Sequence, residues 1–376
     1  MEEYDVFIAG GGFAGSVAAK FAAKEGLKTL FIERYKTPRM KSCSGIQFGY
    51  LPKILGEEIP RDKLCSNEIT KVSIILPNGK AFKTPFKMYN FMRDTFDDWL
   101  NNIAIENGAK FNDECSLIDW ESNDKNIIVT VEDKEKNHIK YKTKYLIDAT
   151  GLMPKVRLKE RPQDFENRSS GATINYYFDG KSNLDPQCLY QYWNLDYNNM
   201  MFAWIYKKNN LWVIGTGYDK GISKIGQNFF NFVKQKYNLK GQIVKKEGFS
   251  SNINMGNRRV HLGGGRIFYV GDAAGLVDPY RGVGMDVAAL SGRLAAKAIV
   301  KAERKNKDAF KLYSKYMNKY VKQTNKNTGK GIYNLTNNDE LLAYMKKNML
   351  KNGIKMVFHN FLNKFRPAKK IKLLPP

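Results

Sequence analysis

Short apolar runs alternate with helix-forming stretches along the first 150 residues. Residues 4–9 are apolar, 13–24 are alanine-rich, and 27–32 are apolar again, which predicts strand, helix and strand around a glycine turn. Residues 71–75 and 81–84 flank Pro77-Asn78-Gly79, the turn chemistry of a β-hairpin. Residues 93–108 carry Phe96, Trp99, Leu100 and Ile103 at helical spacing. Residues 126–132 and 138–143 alternate as a second hairpin, and 145–149 form a separate apolar strand.

From about 170 to 255 the chain becomes strand-rich and aromatic. Segments 172–178, 188–193, 201–206 and 211–217 read as a meander, and 229–236 as a helix. Gly263-Gly264-Gly265 precedes another strand at 267–270. A long helix with small residues on one face covers 282–302, and 306–376 is helical and basic. Blocks of βα and of antiparallel β predict an α/β protein. A Rossmann-like dinucleotide domain (1–68, 86–160 and 256–302) interleaves with an antiparallel β-sheet substrate domain (69–85 and 161–255). A basic helical region follows at 303–376.

Composition narrows this picture by exclusion. No apolar run is long enough to span a membrane, and the N-terminus lacks the basic and apolar regions of a signal peptide. Cys43, Cys65, Cys115 and Cys188 are scattered, and only three histidines are present, so no metal site is expected. These features predict a cytoplasmic protein. Its net charge is +25, and residues 301–376 hold 19 Lys/Arg against 4 Asp/Glu, a net of +15. That distribution suits an anionic membrane surface or an acidic partner protein, and equally a solvated helical face. No nucleic-acid-binding motif accompanies it.

The chemistry begins at Gly10-x-Gly12-x-x-Gly15, which has a strand before it and a helix after it. Gly10 permits the tight turn, Gly12 lets backbone approach a pyrophosphate, and Gly15 lets helix and strand pack closely. The helix amides, including those of Phe13 and Ala14, then face the phosphates. Glu33 ends the second strand, where a carboxylate accepts hydrogen bonds from ribose hydroxyls and repels a 2′-phosphate. By itself this motif suits NAD or FAD.

Three further segments follow: the helix opened by Arg93; Tyr145-Leu146-Ile147-Asp148-Ala149-Thr150-Gly151; and Val270-Gly271-Asp272-Ala273-Ala274-Gly275-Leu276 with Pro279, Gly282 and Gly284. Together, in this order, they resemble the FAD-dependent oxidoreductases of the aromatic-hydroxylase fold, most closely the geranylgeranyl reductase family, over residues 1 to about 300. The resemblance implies FAD held by Gly10, Gly12, Phe13, Ala14, Gly15, Glu33, Arg34, Arg93, Gly151, Gly271 and Asp272. It places Gly282, Val283, Gly284 and Met285 beside the isoalloxazine ring, where a helix N-terminus stabilises negative charge.

Two features select the branch. Lys41-Ser42-Cys43-Ser44-Gly45-Ile46 is similar to the family's cysteine-glycine loop beside the flavin, which makes Cys43 a candidate proton donor and Ser44 and Gly45 flavin neighbours. Phe202-Ala203-Trp204-Ile205-Tyr206-Lys207 resembles the family's substrate-domain strand, with Lys207 where the family has proline. Trp204, Tyr206, Trp193 and Pro279 are accordingly candidate substrate contacts, although sheet core is the plainer role for any one aromatic. The implied reaction is hydride transfer from reduced FAD to a C=C bond of an isoprenoid or other apolar lipid. NAD(P)H or a reduced ferredoxin, an acidic donor protein suited to a basic surface, would supply the electrons. A flavin monooxygenase or halogenase is the alternative on this fold, and an electron-transfer or redox-sensing flavoprotein the alternative of another class. Residues 344–350 and 354–365 mix apolar residues with lysines, as in a helix lying on a membrane surface.

Overall fold

The computed structural model describes residues 1–166, 171–251, 260–278, 282–327, 332 and 334–374. Among these, two eight-stranded sheets carry the fold. The first contains β1 (Glu2–Ala9), β2 (Thr29–Ile32), β6 (Lys110–Asn112), β7 (Ser116–Ser122), β8 (Ile127–Glu132), β9 (His138–Asp148), β15 (Gly263–Gly264) and β16 (Ile267–Tyr269). The second contains β3 (Ile46–Phe48), β4 (Ile69–Ile75), β5 (Ala81–Asn90), β10 (Gly171–Lys181), β11 (Cys188–Tyr192), β12 (Ala203–Lys208), β13 (Leu211–Tyr218) and β14 (Lys240–Ser251). The helices are α1 (Phe13–Lys24), α2 (Leu51–Leu55), α3 (Arg61–Leu64), α4 (Arg93–Glu106), α5 (Lys155–Glu160), α6 (Ile222–Lys236), α7 (Met285–Lys305), α8 (Ala309–Asn327) and α9 (Asn338–Asn363).

The centre of the first sheet is parallel, in the order β16-β9-β1-β2-β6. The C-terminal halves of β1 and β9 and all of β2 are buried, as expected when helices cover both faces. Strand β9 is one element where the sequence predicted a hairpin strand and a separate strand at 145–149. Its first half pairs antiparallel with β8, and its second half pairs parallel with β1 and β16. Burial follows that division: exposed and alternating to Lys144, then buried to Asp148. Helix α7 lies along α1, and a methyl group on Gly292 would come within 2.1 Å of the Ala14 carbonyl oxygen. Small residues on α7 therefore permit a backbone-close crossing.

The second sheet runs β14-β10-β13-β12-β11-β4-β5-β3. The meander expected at 172–217 holds only for β11, β12 and β13, because β10 crosses to pair with β13 and β14. Strand β14 carries no apolar run and so escapes sequence reading. It is a lysine-bearing edge, which blunts unwanted pairing. Sheet membership also puts Ile46–Phe48 and the end of β5 with the second sheet, although the sequence reading left 46–48 and 86–90 in the dinucleotide unit. Helix α6 covers one face through Phe229, Phe230 and Val233, against Tyr176, Phe178, Ile205 and Ile214. The other face, with Tyr177, Leu189, Tyr206 and Val213, joins the core of the first sheet. Alternation along the strand thus decides which side chains reach the junction.

In the C-terminal region, Tyr313 and Tyr320 of α8 are buried and donate to the carbonyls of Tyr269 and Ile371. The segment 344–350 and residues 354–363 of the second segment are parts of one helix, α9, and 364–365 form the turn that follows it. Its start packs Leu341 and Met345 on Leu76, Leu195 and Ile332.

Candidate active site

The glycine turn is built as its spacing requires. Gly10 adopts φ +111°, and a methyl group there would lie 2.4 Å from the Ala149 oxygen. A methyl on Gly15 would meet the Gly10 oxygen at 1.8 Å, so only glycine allows α1 this close to β1. Gly12 caps α1 with no side-chain acceptor and no acidic residue in the first turn. Gly284 likewise caps α7 with no side-chain acceptor. Two helix N-termini without side-chain caps fit the phosphate and flavin ends of a dinucleotide.

A buried ion ladder borders the turn. Glu33 Oε2 accepts from the Gly11 amide at 3.2 Å and pairs with Arg39 Nε at 3.0 Å. Arg39 Nη1 reaches Asp97 Oδ2 at 3.1 Å, and Arg93 grips the same carboxylate with Nε and Nη2 at 2.8 and 2.7 Å. Burial disfavours the Arg93 cation, but Asp97 outweighs it and holds the guanidinium above its ordinary value. A methyl on Gly12 would stand 3.3 Å from Arg39 Nη2, so this guanidinium lies over the glycine turn. Sequence reading missed Arg39; its signal was a basic loop directly after the acidic end of β2.

The other two glycine segments meet the same end of the first sheet. Asp148 is fully buried, which raises its carboxyl, while the amides of Thr150, Val156 and Arg157 and the Thr150 hydroxyl donate to it. It anchors the turn through Gly151 into α5. Gly271 (φ +57°) donates to Ser291 Oγ at 2.9 Å and faces Ala14 of α1, where a methyl would sit 3.3 Å from the Ala14 Cβ. Asp272 Oδ1 would be 3.5 Å from a methyl on Gly284. A methyl on Gly282 (φ +62°) would meet the end of the Met201 side chain, which comes from the loop before β12.

The cysteine loop closes on this point. Cys43 Sγ lies 3.7 Å from Met285 Sδ at the start of α7, and its thiol borders Arg93. Gly45, at φ +70°, packs on the Phe91 carbonyl. From the second sheet, buried Lys208 Nζ donates to the carbonyls of both Cys43 and Ser44 at 3.0 Å. Burial lowers its ammonium below the ordinary lysine value. Trp204, Tyr206 and Lys208 alternate on one face of β12. Trp204 Nε1 donates to Asn175 Oδ1 at 2.8 Å, and the buried Tyr206 hydroxyl has no hydrogen-bond partner among the described residues. Burial, and then the neighbouring Tyr177, Cys43 and Glu247, raise that phenol well above its ordinary value. Tyr177 in turn donates to Glu247 Oε2 at 2.8 Å.

Not every expected residue joins this cluster. The Phe13 side chain stacks on Phe96 and Phe91 under the Arg93 guanidinium, as core, while its amide stands at the start of α1. Arg34 is exposed and lies over the Tyr35 ring. Trp193 packs near the start of α9, in a separate cluster. Pro279 lies outside the described residues. Lys208 was overlooked beside the noted Lys207, because strand register alone distinguishes the two. Among the described residues no group of His, Cys, Asp and Glu could hold a metal, and no helix is long and apolar enough to cross a membrane.

Residues 4–218 match the family model described as pyridine nucleotide-disulphide oxidoreductase. The chain is 27% identical over 313 residues to a geranylgeranyl diphosphate reductase of Rhodobacter capsulatus, covering 82% of this chain and 78% of that protein. Among solved structures, a geranylgeranyl bacteriochlorophyll reductase-like protein of Thermoplasma acidophilum superposes with a TM-score of 0.76 at 20% identity, over 99% of this chain and 94% of the other. The halogenase PltM, solved with FAD, gives 0.73 at 15% identity over 96% and 82%. These likenesses show the fold that both proteins share with this chain.

Proposed function

The chain belongs to the pyridine nucleotide-disulphide oxidoreductase family and is an FAD-dependent oxidoreductase of the geranylgeranyl-reductase type, and from that premise we propose that it saturates isolated C=C bonds in an isoprenoid or other apolar substrate. The observation that carries this reading is the contact of Cys43 with Met285, under a β12 face that presents Trp204, Tyr206 and Lys208. When bound, reduced FAD supplies a hydride to one alkene carbon.

The chain's own residues position and protonate. The amides at the start of α1 take the pyrophosphate, with Gly10, Gly12 and Gly15 leaving room for it, and Glu33 takes the adenosine ribose. Arg93, Gly151, Gly271 and Asp272 extend that binding site, and Gly282, Val283, Gly284 and Met285 border the ring. Cys43 Sγ gives a proton to the second alkene carbon and regains one from solvent, with the Arg93 guanidinium beside it. Lys208 fixes the loop through two backbone carbonyls. Trp204 and Tyr206 line the apolar side and exclude water from the alkene. Electrons come from NAD(P)H or from an acidic ferredoxin drawn to the basic surface.

The test is to reduce the purified flavoprotein anaerobically and add geranylgeranyl lipids. A product heavier by two hydrogens per bond supports the reading. Cys43→Ala should bind FAD normally and lose alkene turnover, and unchanged turnover would remove its role. The PltM-like fold makes oxygen chemistry the competing reading. Hydroxylated or halogenated product formed only on adding oxygen would replace the reductase assignment.

A further inference from the structure

The second half of α9 is fixed on its inner side and bare on its outer side. Asn363 is buried, and its side chain holds Lys372 by both the carbonyl and the amide. Lys53 of α2 donates to the Asn363 carbonyl at 3.1 Å, and Met356 packs on the main core. Outward stand Ile354, Val357, Phe358, Phe361 and Phe365, each between 55% and 73% exposed. Ile354, Val357, Phe358 and Phe361 lie on one stripe of α9 about 100° wide, and Phe365 follows in the turn just beyond the helix. The Phe361 and Phe365 rings meet edge to face with centroids 5.4 Å apart, which joins Phe365 to the stripe. Single exposed apolar residues are ordinary, but a contiguous row marks a contact surface.

Charge identifies the partner. Residues 341–376 contain nine Lys/Arg and no Asp/Glu. Exposed Lys351 and Lys355 flank the stripe on one side and Lys364 on the other. Burial first, and after it the neighbouring charges of Arg366, Lys372 and Lys370, lower the nearby Lys319 ammonium to about 8. Long lysine side chains beside an aromatic stripe reach outward to anionic headgroups while the rings enter the acyl boundary.

We propose that this face of α9 seats the protein on an anionic phospholipid bilayer, with Phe358 and Phe361 inserted and Lys351, Lys355 and Lys364 at the headgroups. Docking of this kind is independent of the reductase reading, since it rests on exposure and charge alone. It would bring a lipid-borne substrate to the enzyme without a membrane span.

Flotation of the full-length holoprotein with two kinds of vesicle tests this: phosphatidylcholine alone, and an equal mixture with phosphatidylglycerol. Binding should favour the anionic vesicles, weaken with salt, and fall about tenfold or more in Phe358→Asp/Phe361→Asp, with thermal unfolding unchanged. Lys355→Glu/Lys364→Glu should weaken binding to the anionic vesicles only. Phe358→Trp supplies a second readout, a blue-shifted emission on adding anionic vesicles. Equal binding by wild type and Phe358→Asp/Phe361→Asp overturns the proposal, as does an unshifted tryptophan. A dimer without lipid that the aspartate pair dissolves also overturns it, because the stripe would then join two copies of the chain.

Discussion

Replacing Asp97 by Asn removes the one carboxylate that Arg93 grips among the described residues. The two side chains are 5% and 2% exposed, so solvent screens little of the change. Arg39 keeps Glu33 at 3.0 Å, whereas Arg93 is left as a buried cation without a counter-charge. Breaking a buried pair from one side costs about 3–5 kcal/mol. For a chain of 376 residues the unfolding entropy converts this into a fall of about 4–6 °C in Tm. Differential scanning calorimetry on flavin-free protein measures it, so that altered FAD binding does not contribute. The double variant Asp97→Asn/Arg93→Met should recover part of the loss, since an apolar chain of similar length replaces the stranded cation. A Tm within about 1 °C of wild type for Asp97→Asn would refute the reasoning. So would a double variant less stable than Asp97→Asn alone.

Gly15→Ala should cost about 1–3 kcal/mol and strip FAD from the purified protein, because its methyl meets the Gly10 oxygen and backbone must move; flavin absorbance per chain is the check. Lys208→Met keeps the stem but loses both carbonyl contacts of the cysteine loop, so alkene turnover should fall about tenfold with FAD content unchanged. His261 is held below its ordinary 6.5 by burial, then by Arg161 and Arg157. A depressed histidine contributes stability that is present above the unfolded value and is lost as pH falls below it through the folded value. Tm should therefore drop as pH falls from about 6.5, and less steeply in His261→Gln.

The sequence alone determined the local chemistry. Glycine spacing, an acid at the end of β2 and alanine-rich helices specify the βαβ unit, because each acts within one turn or one strand. The start of α1 at Phe13 and of α4 at Arg93 follows from such short-range signals. Tertiary structure decided what stands opposite what. Whether Lys207 or Lys208 reaches Cys43 depends on the register of β12 and on the sheet that packs behind it, and both residues read alike in sequence. Strand β10 departs from the expected meander because its partners, β13 and β14, lie 30 or more residues away, beyond any local pattern. Arg39 joins Glu33 to Asp97 across 58 residues of chain, a pairing that exists only once β2 and α4 are side by side. The outward row on α9 follows the same rule. Its apolar and basic residues were visible, but only the docking of Asn363 and Met356 decides that Phe358 and Phe361 face solvent.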